Sequence, residues 1–516
     1  MWLPTYKFVL LVILDGWGLA EAGPGNAIAL ARTPNFKELE KNFLFTSLEA
    51  SGEAVGLPRG VFGNSETGHY NLGAGYVVLQ DVRRIDQTIK DGSFFTRPTL
   101  QQLLQRLVRE KKPLHLLGLA SRAQVHSSLS HLFALLEAAA QMKVAPVLLH
   151  LFTDGRDSSP HDAPQVIKKI EAKCQQLGVG QIASLCGRFW AMDRDQRWER
   201  TAAAYHLLTA GQGRQNKNAA EAINEAYQRG ESDEFLNPIV IQPHFQPLQK
   251  GDGAIFFNFR FDRPRQLTAA LTDPNFNHFP RQPWPQIELI TLTPYAKNLP
   301  LPHIFDRIFI EEPLAAVLAE AGLKQFHIAE SEKFVHVTYF FNGGHEESFP
   351  GEDWLEVPSP KIQTYDQEPE MKAREVTSIL EERIRSGLYH FYLVNFANAD
   401  MVGHSGNLKA TIKAVETIDQ CLGQLWQAVR EKGGLMFITA DHGNAEVMID
   451  PQSGEIETRH NSSPVPCLIA AENLRPPEGF VLQKGILADV APTILQLLGL
   501  EPASSMTGQN LIQRTK

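Results

Sequence analysis

The feature that most constrains this fold is the alternation of short apolar runs with longer segments of helical spacing. Residues 8–14 form a continuous apolar run, which is typical of a strand covered on both faces. Strands that alternate with helices in this way favour an α/β fold with a largely parallel sheet. The predicted strands are 8–14, 43–48, 114–119, 147–152, 182–186, 255–259, 287–292, 392–396, 435–439 and 465–470. The predicted helices are 26–41, 100–109, 129–142, 165–177, 193–209, 313–321, 411–430 and 486–498.

Length and composition limit the classes of function. A chain of 516 residues exceeds one ordinary hydrophobic core, so two or more domains are expected. Six prolines between residues 280 and 302 suggest a crossing between domains there. The net charge of −9 argues against a nucleic-acid or membrane-surface binder. The four cysteines show no CxxC spacing and no apolar run has membrane length, so a cytoplasmic protein is expected.

A glycine-rich stretch, residues 52–75, carries the sequence GNSETGH at 63–69. So many glycines predict neither regular helix nor strand, and they let the backbone turn sharply and approach a ligand closely. The hydroxyl of Ser65 is a weak nucleophile unless a base or metal ion activates it. Taken alone, this stretch favours a simple turn over a functional loop.

Acidic residues follow three predicted strands. Asp15 follows the first run, Asp400 the run at 392–396, and Asp441 the run at 435–439. Because ligands of open parallel sheets bind beyond the carboxyl ends of strands, one shared site is expected there. His404, His442 and His460 supply imidazoles, which with the aspartates and Ser65 suffice for two divalent ions such as Mn²⁺ or Zn²⁺. Each motif by itself also fits a surface pair, a turn or a helix cap.

The middle of the chain offers arginines instead. They follow successive predicted strands, and guanidinium groups suit a bidentate grip on phosphate or carboxylate. A small polyanion is therefore the expected ligand, although any one arginine also fits a solvated surface charge and His126 a structural histidine. The candidates are His126, Arg156, Asp157, Arg188, Arg194, Arg260 and Arg263.

Taken together, these motifs resemble those of the cofactor-independent (2,3-bisphosphoglycerate-independent) phosphoglycerate mutases, members of the alkaline phosphatase superfamily. The similarity spans nearly the whole chain in the family's order. It rests on VILDGWG (12–18), GNSETGH (63–69), DGRD (154–157), AMDR (191–194), NFANADMVGH (395–404) and TADHGN (439–444).

The resemblance implies a discontinuous metal-binding, phosphatase-like domain at 1–79 and 311–516, with a transferase-like substrate domain inserted at 80–310. It implies interconversion of 2-phosphoglycerate and 3-phosphoglycerate through a phosphoserine, by a monomer that needs no 2,3-bisphosphoglycerate. Ser65 would accept the phosphoryl group, Lys333 would assist it and bind substrate, and Asp157 would move protons. One Mn²⁺ would be held by Asp400, His404 and His460, and the other by Asp15, Ser65, Asp441 and His442. Substrate contacts would come from His126, Arg156, Asp157, Arg188, Arg194, Arg260 and Arg263.

The sequence departs from the family's pattern mainly near His126. The usual SDGGVHSH is replaced by SRAQVHSS at 121–128, which changes the loop at Arg122–Gln124 but keeps His126. Two alternatives remain at this point. The first is another phosphomutase or a phosphomonoesterase of the same superfamily, and the second is a catalytically silent protein that binds metal or phosphosugar.

Overall fold

The chain forms two compact units. The computed structural model describes residues 4–296, 298–450, 453–476 and 479–514. Unit 1 comprises Met1–Gln80 and Ile308–Lys516, and unit 2 comprises Asp81–Arg307. The proline-rich residues 280–302 therefore lie inside unit 2 rather than at a crossing. Their loop is tied to that unit by hydrogen bonds, since the Tyr205 hydroxyl donates to Pro283 O over 2.7 Å and Trp284 Nε1 donates to Leu271 O over 3.1 Å.

The described strands form the two large sheets of the α/β fold and one small two-stranded sheet. In chain order they are β1 (Val9–Leu14), β2 (Leu44–Glu49), β3 (Leu114–Ala120), β4 (Val147–Thr153), β5 (Gln181–Gly187), β6 (Arg214–Asn216), β7 (Ile239–Ile241), β8 (Gly253–Phe256), β9 (Glu288–Thr291), β10 (Gln325–Glu330), β11 (Glu352–Val357), β12 (Phe391–Phe396), β13 (Leu435–Thr439), β14 (Val465–Ala470), β15 (Phe480–Leu482), β16 (Gly485–Ile486) and β17 (Ile512–Arg514).

The helices are α1 (Ala27–Leu30), α2 (Pro34–Asn42), α3 (Ser65–Ala74), α4 (Asp81–Asp91), α5 (Pro98–Glu110), α6 (Leu129–Met142), α7 (Ala163–Leu177), α8 (Arg188–Ala191), α9 (Trp198–Ala210), α10 (Ala219–Gln228), α11 (Arg265–Thr272), α12 (Leu314–Glu320), α13 (Ser331–Val335), α14 (Ala373–Ser386), α15 (Asn398–Gly403), α16 (Leu408–Lys432) and α17 (Val490–Leu497). Among the described residues, no helix combines the length and the apolarity needed to cross a membrane.

Unit 1 is built on an eight-stranded sheet of order β11-β10-β12-β1-β13-β14-β2-β16. The first five of these strands are parallel, whereas β14 runs antiparallel to both of its neighbours. All six residues of β1 are buried, as expected of a central strand covered by helices on both faces. The parallel neighbours of β1 are β12 and β13, so the carboxyl ends of these three strands lie side by side.

Unit 2 has a seven-stranded sheet of order β6-β7-β5-β4-β3-β8-β9. Strands β5, β4, β3, β8 and β9 are parallel, and β7 is antiparallel to β5. Apolar residues of both faces of this sheet form buried clusters. The predicted α/β class with mostly parallel sheets is confirmed.

Several predicted helices differ from the observed ones for local reasons. The predicted helix at 26–41 is interrupted before Pro34, because the residue before a proline is driven away from helical geometry. The predicted helix at 193–209 begins only at Trp198. The carboxylate of Asp193 accepts hydrogen bonds from the backbone amides of Asp195 and Arg197 and holds this segment in a turn.

The expectation that residues 52–75 contain no regular helix was wrong. Ser65–Ala74 is helix α3, and two of its glycines permit close packing rather than a turn. A Cβ on Gly68 would lie 2.6 Å from Asp441 Cβ, and one on Gly73 would lie 1.9 Å from Phe341 O. Gly68 therefore brings this helix against the loop that follows β13, and Gly73 brings it against the backbone of Phe341.

Candidate active site

The carboxyl ends of β1, β12 and β13 present the three aspartates predicted from the sequence. Asp15 directly follows β1, Asp400 lies on α15 after β12, and Asp441 follows β13. All three are buried. The adjacent strands thus place three carboxylates at one edge of the unit 1 sheet, where a ligand of an open α/β sheet is expected. We call Asp15, Ser65, Lys333, Asp400, His404, Asp441, His442 and His460 the acidic cluster.

Ser65 is the first residue of α3. The side chain of Asn64 accepts a hydrogen bond from Thr67 N over 2.9 Å and so caps the helix. The hydroxyl of Ser65 donates to Asp15 Oδ1 over 3.2 Å and lies 3.0 Å from His442 Nε2. A helix N-terminus favours negative charge, so an anionic oxygen or a phosphate at Ser65 is stabilised there.

Lys333, on α13, is the cation of the acidic cluster. Its Nζ donates to Asp15 Oδ1 over 2.7 Å, to Ser65 Oγ over 2.8 Å and to Asp400 Oδ2 over 2.8 Å. Burial lowers the pKa of this ammonium, but Asp15 and Asp400 outweigh burial and hold the pKa above its usual range. The neighbouring carboxylates thus favour the charged form of Lys333, whose Nζ contacts the serine oxygen.

The three histidines converge on the same aspartates. His460 Nε2 lies 3.1 Å from His404 Nε2, and both nitrogens lie 3.2 Å from Asp400 Oδ1. His442 Nε2 lies 3.4 Å from Asp15 Oδ1 and 3.7 Å from Asp441 Oδ2. Ligand atoms within 4.8 Å of one another form two groups, Asp400–His442–His460 and Asp15–Asp441–His442. The first group contains His442 where the predicted set has His404, and the second contains the predicted set without Ser65.

The chemistry of these donors fits divalent cations. Imidazole and carboxylate are ligands that Mn²⁺ and Zn²⁺ both accept. Asp441 Oδ2 is buried and accepts no hydrogen bond, although His69 Nδ1 lies 3.3 Å away. That nitrogen lies closer to the backbone carbonyl of Ser65, at 2.8 Å. A buried carboxylate oxygen without a donor is costly unless a cation satisfies it, so the residues present fit bound metal.

Burial and neighbouring charges set the protonation of the histidines. Burial lowers the pKa of His442, but Asp441, Asp15 and Asp400 outweigh burial and raise the pKa to about 9. Burial together with nearby His442 lowers the pKa of His460. Burial also opposes protonation of His404, yet Asp400 raises its pKa. A metal ion that binds His442 must therefore displace its proton, because metal is bound by neutral imidazole nitrogen.

Supporting residues of the acidic cluster were not identified from the sequence. Asn395 Nδ2 donates to Asp15 Oδ2 over 2.7 Å and lies 3.0 Å from His69 Nε2. Asn444 Nδ2 donates to Asp400 Oδ1 over 2.9 Å. Both asparagines lie in the motifs already singled out, NFANADMVGH and TADHGN. Because metal ligands need hydrogen bonds that orient them, the position of each asparagine close in sequence to a predicted ligand could have indicated this role.

Unit 2 gathers the predicted substrate-binding residues other than Lys333, which lies in unit 1, after its own parallel strands. Arg188, which is buried, donates from Nη1 to Asp154 Oδ1 over 2.6 Å and to Asp157 Oδ2 over 2.5 Å. Burial alone would lower the pKa of Arg188, but Asp157 and Asp154 raise it. His126 Nε2 lies 3.8 Å from Asp157 Oδ2. We call His126, Arg156, Asp157, Arg188, Arg194, Arg260 and Arg263 the arginine cluster.

The remaining arginines are held less tightly. Arg194 Nη1 donates to Asp262 Oδ2 over 2.8 Å, and Arg260 Nε lies 3.2 Å from Asp262 Oδ1. Arg156 Nε donates to Glu234 Oε1 over 2.8 Å. The side chains of Arg156, Arg194 and Arg260 are 46–49% exposed, so their guanidinium groups remain accessible to a solute. Asp154, Asp262 and Glu234 were not predicted as site residues.

His126 is neutral near neutral pH because burial and the nearby guanidinium groups lower its pKa. Burial and then Arg188 lower the pKa of His126 to about 3, with Arg260 and Arg263 acting in the same direction and Asp262 opposing them. A neutral imidazole can both donate and accept a hydrogen bond, which suits contact with a phosphate or hydroxyl group.

The altered loop before His126 has a partner of its own. Arg122 donates from Nε to Asp162 Oδ2 over 2.9 Å and from Nη2 to the other oxygen of the same carboxylate. This bidentate pair ties the loop to the start of α7. The residues that depart from the family's pattern therefore make a local ion pair of their own, and His126 keeps its place in the arginine cluster.

Comparison with known proteins places this chain in a family. The Metalloenzyme superfamily model matches residues 7–502. A 2,3-bisphosphoglycerate-independent phosphoglycerate mutase of Moorella thermoacetica is 48% identical over 508 residues, covering 98% of each chain. The corresponding protein of Thermomicrobium roseum is 47% identical over 511 residues, again covering 98% of each chain.

A solved structure supports the same grouping. The phosphoglycerate mutase of Leishmania mexicana, studied at low cobalt concentration, is similar with a TM-score of 0.74 and 31% identity. The similarity covers 99% of this chain and 98% of that protein. The chain belongs to the 2,3-bisphosphoglycerate-independent phosphoglycerate mutase family of the Metalloenzyme superfamily.

Proposed function

We propose that this protein interconverts 2-phosphoglycerate and 3-phosphoglycerate through a phosphoserine at Ser65, without 2,3-bisphosphoglycerate. The observation that carries the proposal is the position of the Ser65 hydroxyl. It lies at a helix N-terminus, 2.8 Å from the Lys333 ammonium and beside a carboxylate and an imidazole. Few serines in a protein have a fixed cation, a helix dipole and metal-ligand residues around one oxygen. Family membership supports the choice of phosphoglycerate as substrate.

In the proposed reaction the Ser65 oxygen forms a bond to phosphorus while the bond from phosphorus to the substrate oxygen breaks. Lys333 holds positive charge against the Ser65 oxygen throughout, so it stabilises the charge that develops there. Asp157 gives a proton to the departing hydroxyl. It then takes a proton from the other hydroxyl of glycerate as that oxygen attacks phosphorus and releases Ser65. Ser65 would give up its hydroxyl proton to solvent before the first step and would be released without a proton in the second. Asp157 recovers in the second step the proton that it gave in the first, so atoms and protons balance over the two steps.

We propose two divalent ions, Mn²⁺ in the first instance, as the resident cofactors. Asp400, His404 and His460 would hold one ion, and Asp15, Ser65, Asp441 and His442 the other. When bound, such ions lower the pKa of the serine hydroxyl and neutralise charge on the phosphoryl group. Asn395 and Asn444 would orient the ligands Asp15 and Asp400 through their hydrogen bonds.

The arginine cluster is proposed to bind the carboxylate and phosphate of the substrate. The guanidinium groups of Arg156, Arg194 and Arg260 are accessible to a solute. Arg263 makes no ion pair among the described residues, so its charge is also available. Arg188 positions Asp157 through an ion pair. Neutral His126 would contact a phosphate or hydroxyl oxygen. Unit 1 would be the metal-binding domain and unit 2 the substrate-binding domain. We propose a cytoplasmic monomer, supported for the compartment by four buried free cysteines.

The test uses protein stripped with chelator, then supplied with Mn²⁺ and 3-phosphoglycerate in the absence of 2,3-bisphosphoglycerate. Metal-dependent 2-phosphoglycerate without an equal release of phosphate is the expected result. Release of phosphate alone would instead make the protein a phosphomonoesterase. Ser65→Ala should lower turnover by at least about 10⁴-fold, because the covalent step is lost. Ser386→Ala, on the exposed end of α14, is the matched control and should retain full activity.

A further inference from the structure

Asp262 lies between Arg260 and Arg263 in the sequence and among three members of the arginine cluster in space, although it was not predicted as a site residue. Its Oδ2 accepts a hydrogen bond from Arg194 Nη1 over 2.8 Å, and its Oδ1 lies 3.2 Å from Arg260 Nε. The same Oδ1 lies 3.6 Å from His126 Nδ1. Both Oδ1 and Nδ1 are buried, and neither has a hydrogen-bond partner. One carboxylate therefore contacts or faces two guanidinium groups and one imidazole.

The backbone of this loop is also tied to His126. Phe259 N and Arg260 N both donate to the carbonyl oxygen of His126, over 2.9 and 3.3 Å. Thr293 Oγ1 donates to Phe259 O over 2.6 Å and fixes the other side of the same segment. The Asp262 carboxylate is thus presented from a well-anchored loop, which makes it able to hold mobile arginines in place.

The distribution of charge shows what Asp262 does for the cluster. Arg188 is paired with Asp154 and Asp157, and Arg156 with Glu234. Arg263 donates to Met192 O over 3.3 Å and makes no ion pair among the described residues. Asp262 is therefore the one described carboxylate shared by Arg194 and Arg260. Without it, three neighbouring guanidinium groups would repel one another with no fixed counter-charge.

We propose that Asp262 is a positioning residue of the substrate site, which holds the Arg194 and Arg260 guanidinium groups and the His126 ring in the orientation that receives the anionic groups of phosphoglycerate. This inference rests on the proposed function. Asp262 acts through its neighbours and does not contact the reacting atoms. Half-exposed arginine side chains have many accessible rotamers. A fixed carboxylate restricts these rotamers before the substrate binds, so ordering the arginines costs less binding free energy.

The test is the isosteric variant Asp262→Asn. Its amide removes the charge and turns one acceptor into a donor that faces a guanidinium, so both arginines lose their fixed position. Misplacement of binding groups by about 1 Å lowers rates by about 100-fold, and we expect kcat/KM to fall by that order, mainly through a higher KM. Glu110→Gln is the matched control, since Glu110 pairs with Arg106 over 2.8 Å elsewhere in unit 2 and should leave both constants unchanged.

A change in KM of the Asp262 variants distinguishes a positioning role of Asp262 from a purely structural one. A structural role would lower the melting temperature and the active fraction, so kcat would fall at unchanged KM. Asp262→Glu keeps the charge but displaces it by one methylene, and we expect it to raise KM in a fully folded protein. An unchanged KM in both Asp262 variants would overturn the inference. Absence of mutase activity in the wild-type protein would instead overturn the proposed function, so the two failures are distinguishable.

Discussion

The acidic cluster of unit 1 and the arginine cluster of unit 2 handle buried charge in opposite ways. In unit 1 the carboxylates of Asp15, Asp400 and Asp441 are all but inaccessible, and the ammonium of Lys333 serves two of them. In the arginine cluster of unit 2 five arginines accompany one carboxylate, Asp157, and the side chains of three of these arginines are about half exposed. The acidic cluster therefore buries carboxylates, whereas the arginine cluster exposes guanidinium groups to solvent.

This difference corresponds to two kinds of chemistry. Buried carboxylates with few donors bind small, strongly charged cations well, since a cation recovers the cost of removing them from water. Accessible guanidinium groups recognise a planar or tetrahedral anion that arrives from solution. The electrostatic energy of unit 1 is therefore the more sensitive to the loss of a single charge.

The largest expected effect comes from Lys333→Met in unit 1. Removing the ammonium leaves Asp15 and Asp400 buried without their main counter-charge, and the loss of one partner of a buried pair costs about 3–5 kcal/mol. The measurement is urea unfolding of chelator-treated protein. Added Mn²⁺ should recover much of this loss, because a cation bound by the same carboxylates replaces the missing charge.

Arg194→Met in unit 2 is the matched variant for this comparison. Asp262 keeps Arg260 at 3.2 Å and is partly exposed, so the free energy of unfolding should change by less than about 1 kcal/mol. Equal losses of stability in the two variants would show that the two clusters do not differ in how they tolerate charge.

An effect of intermediate size is expected from pH. The pKa of His442 is raised to about 9, above the usual 6.5. A base with a raised pKa in the folded state contributes stability that is complete below pH 6.5 and is lost as pH rises through 9. In chelator-treated protein the free energy of unfolding of unit 1 should therefore fall by about 3 kcal/mol between these values. The raised pKa of His404 acts in the same direction.

Unit 2 provides the contrast for the pH measurement. The pKa of His126 is lowered to about 3, so this imidazole does not titrate between pH 6.5 and 9. Urea unfolding at several pH values, followed separately for the two units by hydrogen exchange, distinguishes them. Metal affinity should change in the opposite sense and increase with pH, because neutral imidazole binds metal. A unit 1 stability that stays constant across this range would contradict the assigned charge state of His442.

The sequence predicted the positions of the candidate residues better than their partners. Asp15, Asp400 and Asp441 were found because polar residues directly after buried strands must lie at one edge of a parallel sheet. Asp262 and Glu234 were missed because the choice of ion partner depends on which loops meet in space. Glu234 follows no predicted strand. Asp262 lies between Arg260 and Arg263 after the predicted strand 255–259, but its negative charge did not fit the anion-binding role expected there.

Helix α3 was missed for a related reason. Glycine was interpreted through its backbone freedom, yet Gly68 and Gly73 lie in a regular helix. They are required because Asp441 and the carbonyl of Phe341 approach the helix too closely for a Cβ. That constraint comes from neighbours distant in sequence, so no local pattern contains it.

The smallest expected effect concerns the altered loop before His126. Gln124 has φ 58°, in the left-handed region, and its side chain is exposed. This conformation destabilises the folded state by about 1–2 kcal/mol when the residue carries a side chain. Glycine avoids that cost, but it loses more conformational entropy on folding, which offsets about 0.5–1 kcal/mol of the gain. Gln124→Gly should therefore stabilise unit 2 by less than about 1 kcal/mol, a small rise in melting temperature. Lys143→Gly, with φ 59° at the end of α6, should behave alike.

The KM of Gln124→Gly, compared with that of Lys143→Gly, shows whether the loop before His126 helps to position this residue. Lys143 ends a helix outside the arginine cluster, whereas Gln124 lies two residues before His126. If the hydrogen bonds of Phe259 N and Arg260 N to His126 O hold that residue, KM should stay unchanged in both variants. A raised KM in Gln124→Gly alone would mean that the strained loop also helps to place His126. The positioning of the arginine cluster would then depend on the backbone of this loop as well as on the Asp262 carboxylate.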